Sequence, residues 1–127
     1  MSDVSTSNLF TSLNDSKSLL PNHDNVVIPI EKFSKYALNP EKQPHKALAF
    51  ELALGYNLGN ILDLIYQIHQ GLSIFPAKFV GNRGYGDIYE VLMHLTGVNM
   101  KTAKVMTIWL DDCDTKEIRL ITVYVDK

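Results

Sequence analysis

Alternation of apolar and polar positions dominates the last third of the chain, where residues 85–97, 102–111 and 117–125 are rich in β-branched and aromatic side chains. The breaks between them carry Gly, Asn and Asp, so the runs predict three consecutive antiparallel strands. In the second run Val105, Thr107 and Trp109 alternate with Met106 and Ile108, and in the third Leu120, Thr122 and Tyr124 alternate with Ile121, Val123 and Val125. Successive strand residues point to opposite faces, which assigns Met106, Ile108, Ile121, Val123 and Val125 to a buried layer. Thr107, Trp109, Thr122 and Tyr124 then share the other, working face.

Upstream the period changes to that of helices. Residues 31–38 allow two turns with Phe33 and Ala37 on one side, stopped by Asn39-Pro40 because the residue before proline avoids the helical region. Pro44 suits a first helical turn and Gly55 an end, predicting a helix over 44–54 with Ala47, Phe50 and Leu54 as its apolar stripe. Leu58, Ile61, Leu62, Ile65 and Ile68 mark a further helix up to Gly71, capped by Asn57 or Asn60. The expected fold is therefore α+β, with N-terminal helices packed on one face of a three- to four-stranded antiparallel meander. A fourth, edge strand is expected over 74–80, and Val26 to Ile30 reads as an edge segment because of Pro29. Residues 1–25, rich in Ser, Asn and Asp, read as a flexible arm or linker with one short helix near Leu9 to Leu13, leaving 26–127 as a single domain.

Composition narrows the chemistry. A formal charge of −2 does not announce a nucleic-acid binder, although residues 31–83 hold five Lys and one Arg against three Glu and one Asp. The lone Cys113 forms no internal disulfide, and no apolar run reaches the length of a membrane span. No His, Cys or carboxylate spacing supplies a metal set, and no cofactor motif is present. What remains is cationic and aromatic. His45 and Lys46 lie in a helix first turn, where the dipole favours anions. Arg83 sits between Gly81 and Gly86, where glycine lets backbone approach a phosphate, and Trp109, Tyr89 and Tyr124 offer stacking surfaces. Packing of Trp109 on Tyr124, or a Thr107–Thr122 cross-strand pair, explains the same residues without a ligand.

The strings Lys35-Tyr36-Ala37-Leu38-Asn39-Pro40, Lys46-Ala47 with Phe50, Leu54-Gly55-Tyr56, Tyr85-Gly86-Asp87-Ile88-Tyr89-Glu90-Val91, residues 103–109 and residues 119–125 together resemble a known domain family. It is a family of uncharacterised biochemical function found at the C-terminal ends of bacterial polymorphic and contact-dependent growth-inhibition toxins. The resemblance covers roughly residues 30–126. By analogy with the barnase, EndoU, colicin and RelE types, it implies a compact ribonuclease fold whose sheet binds RNA, and metal-independent cleavage through the ribose 2′-OH. On that reading His45 acts as general base or acid, Lys46 holds the scissile phosphate, Thr107 and Thr122 donate hydrogen bonds to it, Arg83 adds a phosphate contact, and Tyr89, Trp109 and Tyr124 bind bases. The implied partners are tRNA or another structured RNA, a cognate immunity protein, and a host RNA-binding factor such as an elongation factor. Delivery as part of a larger secreted protein, with action in the target-cell cytoplasm, goes with them. A different class remains beside it: a non-catalytic module, such as an immunity or adaptor protein, that docks a protein partner through its aromatic surface.

Overall fold

The computed structural model describes residues 18–126. Its sheet has five strands: β1 (Val26–Val27), β2 (Ala77–Asn82), β3 (Gly86–Thr96), β4 (Thr102–Asp112) and β5 (Ile118–Asp126), in the order β1-β5-β4-β3-β2. The β2, β3, β4 and β5 pairings are antiparallel, but β1 runs parallel to β5, with Val26 opposite Ile118 and Val27 opposite Arg119. This corrects the expected three- to four-stranded antiparallel meander. The sheet is mixed. A two-residue strand carries no periodicity to read, and its partner lies at the other end of the sequence, so the parallel pair had no local signature.

Helix α1 (Pro44–Leu54) begins with proline in its first turn and ends where Gly55 takes φ 79°, a left-handed conformation in which its amide donates back to the last turn. Helix α2 (Ile61–Gly71) follows a 3₁₀ turn that Asn57 caps: its Oδ1 accepts from Gly59 N at 2.8 Å, and its own amide donates to Asn60 Oδ1 at 2.8 Å. Phe33–Ala37 forms a π-helical turn in which Leu38 N donates to Phe33 O at 3.0 Å. The wider turn buries Phe33, Ala37 and Leu38 together.

The core lies between these helices and one sheet face. Phe50, Leu54, Leu64 and Ile68 meet Val91, Met93, Val105, Trp109, Leu120 and Val123 there. On β4 the inward set is therefore Val105, Thr107 and Trp109, the reverse of the sequence expectation, while Met106 and Ile108 are only partly buried. On β5 Val123 points inward as read, yet so does Leu120, because a register shift sets Ile108 opposite Thr122 and Trp109 opposite Leu120, leaving Ile121 as an extra residue. One inserted residue switches the face of everything beyond it.

Of the arm expected over residues 1–25, residues 1–17, with the helix expected near Leu9, lie outside the described residues. From Ser18 on the chain is part of the fold, since Ala77 N donates to Ser18 O at 2.7 Å and Leu20 is buried in the core.

Gly97 ties the β3–β4 hairpin to the end of α1. A Cβ built there would stand 2.0 Å from Leu54 O and 2.5 Å from Leu54 Cα. Backbone, not a pliable side chain, occupies that space. Gly97→Ala is expected to lower the free energy of unfolding by about 1–3 kcal/mol, read from the urea midpoint, through forced separation of hairpin and helix.

Candidate functional site

Beyond Arg119, no strand flanks the outer side of β5 among the described residues, and α1 presents its first turn there. Lys46 is the residue that reaches the strand. Its Nζ donates to Thr122 Oγ1 at 3.2 Å and lies 5.8 Å from the centre of the Tyr124 ring. A cation over an aromatic face gains about 0.5–1 kcal/mol at such sites, so hydroxyl and ring together fix where the charge sits. Partial burial removes water from the ammonium and pulls the Lys46 pKa below its ordinary 10.5.

Around this contact is a small polar cleft of about 160 Å³, completed by Lys32, Tyr36 and Gln43. Among the described residues two lysines line it and no carboxylate does. Its electrostatics favour an anion, and Tyr36, half exposed on the π-helical turn, stands at its wall. Lys32, Tyr36 and Gln43 were not singled out in the sequence. Lys32 and Tyr36 are four residues apart, a helical spacing that places them on one line beside the buried Phe33 and Ala37, which was the available signal.

The other residues named from sequence fall elsewhere. His45 is exposed, is not part of the cleft lining, and its side chain has no hydrogen-bond partner among the described residues. Thr107 and Trp109 are both 0% exposed, so neither presents a surface to substrate. The physical reason is that they satisfy each other: Trp109 Nε1 donates to Thr107 Oγ1 at 2.8 Å, and that hydroxyl donates to Val91 O at 2.8 Å. The expected phosphate donor and base-stacking ring are thus a hydrogen-bonded pair in the core. Arg83 lies exposed in the turn between β2 and β3, three strands away from β5. Tyr89, on β3, packs edge-on to Phe79 at 5.7 Å. Burial, then the charges of Asp87 and Asp111, push its hydroxyl pKa up, an acidic setting that repels phosphate. The structure therefore gathers Lys46, Thr122 and Tyr124 and separates them from Thr107, Trp109, Arg83 and Tyr89.

Among the described residues no group of three or more His, Cys, Asp or Glu side chains is placed to hold a metal ion. No single helix there is long and apolar enough to cross a membrane.

The family model for a domain of unknown function, DUF6883, matches residues 19–127. The chain belongs to that family. The match takes in Leu20, the β1 strand and every residue of the Lys46 cleft, so cleft and core fall within one family domain. No curated protein and no solved structure matches the chain.

Proposed function

We propose that the cleft around Lys46 binds a phosphodiester of RNA and that the domain cleaves it by metal-independent attack of the ribose 2′-OH. The observation that carries this reading is the Lys46 Nζ–Thr122 Oγ1 contact of 3.2 Å beside Tyr124, in a cleft that a second lysine and, among the described residues, no acid lines. In the reaction the 2′-oxygen forms a bond to phosphorus and the bond to the 5′-oxygen breaks, leaving a 2′,3′-cyclic phosphate and a 5′-hydroxyl. Lys46 and the Thr122 hydroxyl hold the non-bridging oxygens, whose charge grows in the transition state. His45, exposed next to Lys46 on the first turn of α1 and outside the cleft lining, must turn toward the bound phosphodiester to exchange the proton with the attacking or leaving oxygen. Tyr36 and Tyr124 stack on an unpaired base, a contact worth about 1–3 kcal/mol.

Resemblance to toxin C-terminal domains supports the biological side of the proposal: structured RNA, tRNA first, as substrate, delivery within a larger secreted protein, and a cognate immunity protein. With a chain charge of −2, few phosphates are neutralised, which favours a helper such as a host RNA-binding factor. Inducing the chain in bacteria and resolving total RNA tests the proposal. Growth arrest with discrete RNA fragments carrying cyclic phosphate ends is expected, with both weakened in Thr122→Val. Arrest with intact RNA, or fragments that Thr122→Val leaves unchanged, overturns it.

A further inference from the structure

Helix α1 carries leucines on its outer side as well as its inner one. Ala47, Phe50 and Leu54 enter the core, while Leu48 and Leu52, four residues apart, face outward at 54% and 64% exposure. Outward leucines on an otherwise amphipathic helix mark a second apolar surface that a partner can cover. Beside Leu48 lies an open cavity of about 460 Å³, walled mainly by Leu38, Pro40, Pro44, Ala47 and Leu58. A second, of about 350 Å³, joins it at Leu58 and Gly59 and runs past Ile30 to Leu62, which is 69% exposed. With Leu58 and Gly59 lining both, the two make one apolar trough whose row of aliphatic side chains suits those of a helix at i, i+3, i+4 and i+7 spacing.

Charge decides the occupant. Glu51 and Asp63 are the charged residues of the trough walls among the described residues, one in each cavity, and no described lysine or arginine lines either. We propose that the trough is the docking groove for an amphipathic helix of a partner protein whose apolar face is bordered by lysine or arginine. A second copy of this chain would bring its own Glu51 and Asp63 to the same surface, where like charges oppose docking. Residues 1–17 contain Leu9, Phe10 and Leu13, but one lysine against two aspartates, the wrong balance for the same walls. Among the described residues the trough shares no lining residue with the Lys46 cleft. The inference does not depend on the chemistry at Lys46.

The test uses the full chain and three labelled peptides in fluorescence anisotropy: a leucine–lysine helix of about five turns, a leucine–glutamate helix of the same pattern, and the segment 1–17. The basic peptide is expected to bind at least about tenfold more tightly than the acidic one. Glu51→Gln combined with Asp63→Asn is expected to erase that preference. Leu58→Ser combined with Leu62→Ser, at exposed positions that leave the circular dichroism unchanged, is expected to weaken the basic peptide by about tenfold or more. Equal binding of the two designed peptides, preference for segment 1–17, or a dimer in sedimentation that the serine pair dissolves, each overturns the proposal.

Discussion

Trp109→Ala is expected to destabilise the fold by about 3–5 kcal/mol, the usual cost of emptying a large buried aromatic site. The ring stands in the centre of the core between Thr107, Val91 and the helices, fully shielded from solvent. Loss of that much can exhaust most of the 5–15 kcal/mol of stability typical of a small domain, so urea unfolding should shift to a far lower midpoint or lose its cooperative transition. A companion series separates packing from polarity. Thr107→Val keeps the volume but leaves the indole N–H without its acceptor, at about 1–3 kcal/mol. Trp109→Phe removes the donor as well as part of the ring. In the double variant the penalties should combine to less than their sum, since the orphaned donor no longer exists. A Trp109→Ala chain that unfolds at the wild-type midpoint while losing RNA affinity would return Trp109 to the surface role expected from alternation alone.

Why alternation misled is instructive at the level of single residues. Period 2 says that Thr107 and Trp109 share a face, and they do; it does not say which face is inside. Threonine and tryptophan each carry a polar atom, which argued for solvent, yet here the bond between them and the hydroxyl's donation to Val91 O satisfy both and remove the penalty of burial. The register shift at Ile121 then broke the equivalence between Thr107 and Thr122, placing one in the core and the other beside Lys46. Features governed by neighbours in sequence were legible: Pro44 and Gly55 bound α1, Asn57 caps the turn into α2, and the β3, β4 and β5 runs stand close to their expected ranges. Features requiring distant partners were not. The parallel pairing of Val26 with Ile118 and the meeting of Tyr36, Gln43 and Thr122 arise only when the chain closes. Lys46 and Thr122 were named together through the family resemblance, whereas their 3.2 Å contact belongs to the tertiary structure.

Lys46→Met should divide function from stability. If the ammonium supplies the charge that holds the transferring phosphate, its removal is expected to slow RNA cleavage by about 10²–10³-fold, the scale seen when one preorganised oxyanion donor is lost. Stability should move the other way or not at all. Burial lowers the Lys46 pKa below 10.5, which means that folding disfavours its charged form. Between the folded value and 10.5 the unfolded chain binds more protons than the native one, so stability rises with pH across that window and is flat, with the desolvation cost fully present, below it. Methionine removes the cost and the slope together, and because the amine still touches water the gain in thermal midpoint is small. On the proposed mechanism cleavage requires the protonated amine, so wild-type activity should fall with rising pH over the same interval in which wild-type stability climbs. Opposed slopes in the wild type, both abolished in Lys46→Met, are the signature of one partly buried cation held for a substrate rather than for the fold. A methionine variant that unfolds at neutral pH would make the lysine a structural residue and remove the centre of the site.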